Sequence, residues 1–98
     1  MPWTGSDGFQ FTRQSIQINA PARSGVYALF VSPNTWVYIS ESGDIQARLT
    51  QHLNGDNACI SRFSGLSFAY ELVQANGRIT RQNALLSEIR TACNQMLG

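Results

Sequence analysis

The sequence predicts a small α+β domain, and three features predict it. Residues 25–31 (G-V-Y-A-L-F-V) and 36–40 (W-V-Y-I-S) are β-branched and aromatic, and Ser32-Pro33-Asn34-Thr35 between them reads as a hairpin connection. Ile45, Leu49 and Leu53 then recur at four-residue spacing behind Asp44, a good N-cap, which makes an amphipathic helix. A further apolar run at 66–73 and a second helical pattern from Thr80 to about Met96 complete the alternation of strands and helices. Ninety-eight residues bury one modest core, so the whole chain, 1–98, is expected to be a single domain.

Residues 1–24 read as an N-terminal extension, with Gly, Ser and Pro at its start. Phe9, Phe11, Ile16 and Ile18 alternate in part, which predicts extended structure along a sheet edge. The run at 25–31 has no polar alternation and is expected to be covered on both faces. An even loop of four residues sets Tyr38 opposite Leu29, so Tyr27 and Tyr38 share a face. A turn at Glu41-Ser42-Gly43 leads into the Asp44 helix, and Asn54-Gly55-Asp56-Asn57 is a loop. Residues 58–63 are expected to form one or two helical turns. In the third strand Leu66, Phe68, Tyr70 and Leu72 fall on one face, and Asn76-Gly77 is a tight turn. The last helix is expected to bury Leu85, Ile89, Ala92 and Met96.

Composition excludes several classes. At 43% hydrophobic and 13% charged the chain is globular rather than disordered. No apolar run approaches the roughly 18 residues that a membrane span needs, and the first residues, M-P-W-T-G-S-D-G, do not read as a signal peptide. Cytoplasm is the expected compartment. Cys59 and Cys93 match no metal or redox spacing and are expected to be buried thiols rather than a disulfide. A net charge of +1 argues against strong nonspecific nucleic-acid binding, although all seven basic residues are arginine, the better bidentate phosphate ligand.

The residues that carry chemistry gather around the hairpin and the Asp44 helix. Asp44, Arg48 and His52 form a row beside the apolar stripe, about 100° round the helix axis. This sets a fixed cation next to a titratable imidazole. The plain alternatives are an exposed Asp44–Arg48 ion pair worth roughly 0.3–0.5 kcal/mol, a surface histidine, and two core tyrosines with satisfied hydroxyls. Glu88 has Ala84, Leu85, Thr91 and Ala92 as helical neighbours, so no cation on its own helix balances it. It reaches solvent, pairs with a distant arginine, or binds a metal.

Taken together, G-V-Y at 25–27, Y-I-S at 38–40, and E-S-x-D-I-x-x-R-x-x-x-H ending at His52 resemble the GIY-YIG nuclease family. N-A-L-L-S-E at 83–88 is similar to the family's helix with its metal-binding glutamate, so the resemblance spans 25–96, the motif-bearing core. It implies a small antiparallel three-stranded sheet flanked by helices, and a DNA endonuclease that hydrolyses phosphodiesters with one divalent cation, Mg²⁺ or Mn²⁺. By motif, Tyr27 would position or deprotonate the attacking water, and Tyr38 would contact substrate or metal-bound water. Arg48 would bind the scissile phosphate, His52 would transfer a proton or contact phosphate, and Glu88 would hold the metal. The chemistry is coherent: a phosphodiester is an anionic, poor electrophile that needs a cation beside it and an activated water. Mg²⁺ keeps several waters and needs only one or two carboxylates.

The chain departs from the pattern in that Ser40 stands where the family has Gly. The Pro- and Asn-bearing segment that many members carry beyond the glutamate helix is not read before Gly98, and no accessory DNA-binding domain is read. A catalytically impaired module of the same fold, binding DNA or a protein partner, is the alternative. DNA is the expected partner, with an accessory DNA-binding or partner protein and no membrane.

Overall fold

A computed structural model describes residues 8–32 and 35–93 of the chain. Its elements are β1 (Phe9–Gln10), α1 (Arg13–Asn19), β2 (Gly25–Val31), β3 (Thr35–Ser42), α2 (Ile45–Leu53), α3 (Ala58–Ser61), β4 (Ser67–Leu72) and α4 (Arg78–Glu88), with a 3₁₀ turn at Ala75–Gly77. All strand pairings are antiparallel and the order is β1-β4-β2-β3. The α+β class is as expected. The sheet has four strands rather than three, because Phe9 and Gln10 pair with Phe68 and Ser67.

Residues 9–18 are otherwise not extended. Thr12 caps α1 by accepting from the Ser15 amide at 3.2 Å, and the helix buries Ile16 while Ile18 stays 71% exposed. The apparent alternation of these two isoleucines is a helix showing one apolar face.

β2 is buried on both faces, as its unbroken apolar run requires. One face carries Tyr27 and Leu29, which pack with Ile16, Ile45, Leu49, Ile60 and Phe68 under α1, α2 and α3. The other carries Val26 and Ala28, which pack with Ile39, Leu85 and Ile89 under α4. Gly25 is needed for space: a Cβ there would run into the Glu71 carbonyl oxygen and the Ile45 side chain.

The hairpin reaches its expected pairing by an unexpected route. Val31 pairs with Thr35 and Phe30 with Trp36, one residue short of the four-residue loop; a bulge then restores Leu29 opposite Tyr38. Pro33 and Asn34 lie outside the described residues. β3 continues through Glu41 and Ser42, which were expected in the turn. Asp44 caps α2 as expected, accepting from the Ala47 amide at 3.0 Å. Leu72 is 44% exposed rather than buried with Phe68.

The last helix is shorter than its apolar spacing predicts. α4 begins at Arg78 rather than Thr80 and ends at Glu88, with Ile89 extended. Ala92 is exposed, and its amide and that of Cys93 donate to the carbonyls of Trp36 and Val37, at 3.0 and 2.8 Å. Met96 lies outside the described residues. Cys59 and Cys93 are not thiols: they form a disulfide that ties α3 to this returning segment. No described helix is long and apolar enough to cross a membrane.

Candidate active site

The sheet and α2 bring four of the five expected residues to one place. Tyr27 comes from the middle of β2, Tyr38 from β3 two residues further along the shared face, and His52 from the last turn of α2. The Tyr27 and Tyr38 ring centroids lie 6.3 Å apart. The His52 ring packs 5.6 Å from Tyr27 and stands edge-on to Tyr38 at 5.1 Å. His52 is buried, 2% exposed, rather than on the helix surface. Its Nε2 lies 2.7 Å from the Tyr27 hydroxyl, and its Nδ1 lies 2.9 Å from Oδ1 of Asp56.

Asp56 is the member that sequence reasoning placed in a plain loop. It follows Gly55, whose φ of +93° lies in the left-handed region that glycine enters at little cost. That turn brings Asp56 back against α2, where its Oδ2 accepts from Arg48 Nη1 at 2.8 Å. Arg48 therefore pairs with Asp56 and not with Asp44, whose carboxylate is used as the helix cap. Gln51 also accepts from Arg48 Nη1, at 2.7 Å. The signal available in the sequence was the i,i+4 spacing of His52 and Asp56, which puts both on one side of the chain as α2 ends.

The electrostatics follow from depth. Burial pushes the Tyr27 phenol far above its ordinary range, helped by Tyr38 and opposed by the charge of Arg48 and the neighbouring Ser40 hydroxyl. Burial likewise lowers the His52 pKa, and the hydrogen bond and charge of Asp56 only partly offset it. Burial works against the Asp56 carboxylate, but the hydrogen bonds and charges of His52 and Arg48 outweigh it and hold it below its usual range. At neutral pH the cluster is thus a neutral phenol, a neutral imidazole, a carboxylate and a guanidinium. The Arg48 side chain is 36% exposed. His52 also forms part of the wall of a cleft of ≈ 290 Å³ that includes Phe11 and Phe63.

Ser40, in the position of the family's glycine, is accommodated without a left-handed backbone. Its hydroxyl donates to Gln82 Oε1 at 3.1 Å, and that oxygen also accepts from the Glu41 amide at 3.0 Å. The serine thus helps to fasten α4 to β3.

Glu88 is not brought to this cluster. It is the last residue of α4, the helix packed on the Val26–Ala28 face, and it is exposed, with Arg81 as an electrostatic neighbour. Among the described residues no group of three or more His, Cys, Asp or Glu side chains could hold a metal. Both oxygens of Asp56 are engaged, by His52 and Arg48. Glu88 and the donors around Tyr27 therefore do not form one ligand set among the described residues.

Fold and site together define an α+β domain with a phenol–imidazole–carboxylate chain beside a partly exposed arginine. Comparisons of the chain with protein-family models, with curated proteins and with solved structures found no match.

Proposed function

We propose that this protein is a phosphodiester hydrolase acting on DNA, with Arg48 as the phosphate ligand and the Tyr27–His52–Asp56 chain as the route for a proton. The observation that carries the reading is the continuity of this cluster, from the buried Tyr27 hydroxyl through His52 and Asp56 to the solvent-facing Arg48. A guanidinium holds two phosphate oxygens and stays charged throughout the working range. In the free protein Arg48 Nη1 donates to Asp56 and to Gln51. Negative charge that develops on the phosphate is then met by a fixed cation. Tyr38, half-buried beside His52, orients the substrate or the attacking water. A proton lost near Tyr27 passes to His52. The resemblance adds a divalent ion at Glu88, and no step here is routed through it.

A second reading is favoured by one observation: Tyr27 is 0% exposed, so its hydroxyl meets no substrate without a local opening. On that reading the domain is an impaired module that binds DNA or a protein partner through Arg48.

Nicking of supercoiled plasmid and cleavage of branched DNA, with Mg²⁺ or Mn²⁺, separate the two. Nicking by the wild type that Arg48→Ala removes is the expected result, and Glu88→Ala in parallel tests the metal role. A folded wild type that cuts neither DNA in either metal refutes the hydrolase reading. Gel-shift titration of the same DNA against Arg48→Ala then tests the binding module.

A further inference from the structure

The resemblance left His52 with two possible duties, proton transfer or phosphate contact, and assigned nothing to Asp56. The geometry decides between them. His52 is buried and both of its ring nitrogens are engaged, Nε2 by Tyr27 and Nδ1 by Asp56, so no nitrogen is left for a phosphate.

We infer that Asp56 is a positioning residue: it holds the His52 imidazole as its Nδ1–H tautomer and so turns Nε2 into the acceptor of the Tyr27 proton. The steps are forced by donor and acceptor chemistry. A carboxylate only accepts, so the ring nitrogen facing Asp56 Oδ1 must carry a hydrogen. A neutral imidazole has one N–H, so the other nitrogen, Nε2, presents a lone pair. The Tyr27 hydroxyl, 2.7 Å away, then donates to it. When Tyr27 loses its proton the O–H bond breaks, Nε2–H forms, and the resulting imidazolium lies between phenolate and carboxylate. This is the nucleophile–base–orienter logic of acyl-transfer sites, with a phenol in place of the serine hydroxyl. Arg48 takes part by occupying Asp56 Oδ2, which fixes which oxygen faces the ring.

That last contact makes the substitution Asp56→Asn diagnostic. Arg48 is a donor only, so it keeps the amide oxygen, and the amide NH₂ turns toward Nδ1. Nδ1 must now accept, the hydrogen moves to Nε2, and the bond to Tyr27 survives with its direction reversed. Shape and packing are kept while the proton route is blocked.

His52 is the only histidine, so its imidazole resonances are unambiguous. Long-range ¹H–¹⁵N spectra of histidine-labelled protein at neutral pH report the tautomer directly. The expected result is Nδ1–H in the wild type and in Asp56→Glu, and Nε2–H in Asp56→Asn, with amide spectra that show the same fold. A wild type with Nε2–H, or an Asp56→Asn protein that keeps Nδ1–H, overturns the assignment.

The kinetic arm rests on the hydrolase reading. On plasmid, Asp56→Asn should lower kcat by about 10²–10⁴-fold with KM little changed, and Asp56→Glu should recover part of the loss. Equal kcat in wild type and Asp56→Asn overturns the proton route. A wild type that shows the expected tautomer yet nicks nothing overturns the hydrolase reading and leaves the role of Asp56 toward His52 standing.

Discussion

Replacing Tyr27 by Phe removes one hydroxyl and keeps the ring that fills the core, so it removes the bond to His52 and the hydroxyl's contact with Ser40. The partner is His52 Nε2 at 2.7 Å, in a residue 2% exposed, and Tyr27 itself is 0% exposed. Water does not replace the lost donor there, and a buried acceptor left unpaired costs about 1–3 kcal/mol. At about 4–8 °C per kcal/mol for a domain of this size, a loss of about 2 kcal/mol lowers Tm by roughly 8–16 °C. His52→Leu takes the imidazole partner from the Tyr27 hydroxyl and leaves it only Ser40, so it costs up to the same amount. It also frees Asp56, but that side chain is 34% exposed and still holds Arg48, so solvent takes over at small cost. Combining the two substitutions removes both partners and leaves no orphan, which is close to neutral when the replacements are apolar and similar in shape. The double variant should therefore lose about 2–4 kcal/mol less than the sum of the singles, well outside the ~0.5 kcal/mol error of such cycles. Thermal and urea unfolding of the four proteins, with the disulfide kept oxidised, measures this. Additive losses, or a Tyr27→Phe protein as stable as wild type, would show that the bond does not exist in solution.

Gly25→Ala places a methyl group against the Glu71 carbonyl and Ile45 in the central strand, and thermal unfolding should show a loss of about 1–3 kcal/mol. The Cys59–Cys93 bridge closes a separation of 34 residues, so loop entropy alone predicts roughly 3.8 kcal/mol of stabilisation; a Cys59→Ser/Cys93→Ser protein should unfold at correspondingly lower urea, and an unchanged midpoint would refute the bridge. Stability should also fall with acid. The folded pKa of His52 is lowered below its ordinary 6.5, so the unfolded chain binds the proton more readily; the contribution is complete above about pH 6.5 and is lost as pH falls below it. Asp56, also lowered, acts in the same direction nearer pH 4. His52→Leu should flatten the first of these slopes in a urea series from pH 5 to 8.

The order of strands and helices from Gly25 to Leu72 was legible because it rests on local patterns: an apolar run for a strand covered twice, and a four-residue spacing behind a capping Asp44. What was misread depends on distant partners. Ile16 and Ile18 alternate in sequence, yet Thr12 caps a helix there and only Ile16 finds the core. The apolar spacing of α4 continues past Glu88, but Ile89 turns extended and the segment returns along β3, tied by Cys93. The pairing of Tyr38 with Leu29 came out as expected only because a bulge offsets a shorter loop. Local spacing has no access to any of these compensations.

The site shows the same division with a sharper consequence. A helical row of Asp44, Arg48 and His52 predicts three side chains with like surroundings, but the row is oblique to the sheet. Its first member caps the helix in solvent, its second reaches the surface, and its third is swallowed beneath Tyr27 and Tyr38. Arginine and histidine therefore cannot share one duty. On the proposed reading Arg48 meets an anion and His52 exchanges a proton with Tyr27, and the residue that touches both is Asp56, which binds one with each oxygen. A phosphate arriving at Arg48 would compete with Asp56 for the guanidinium, weaken the hold on Oδ2, and leave more of the carboxylate's charge for the His52 imidazolium. On that reading anion binding at the surface and basicity in the core would be coupled through one side chain, in the direction that proton transfer from Tyr27 requires.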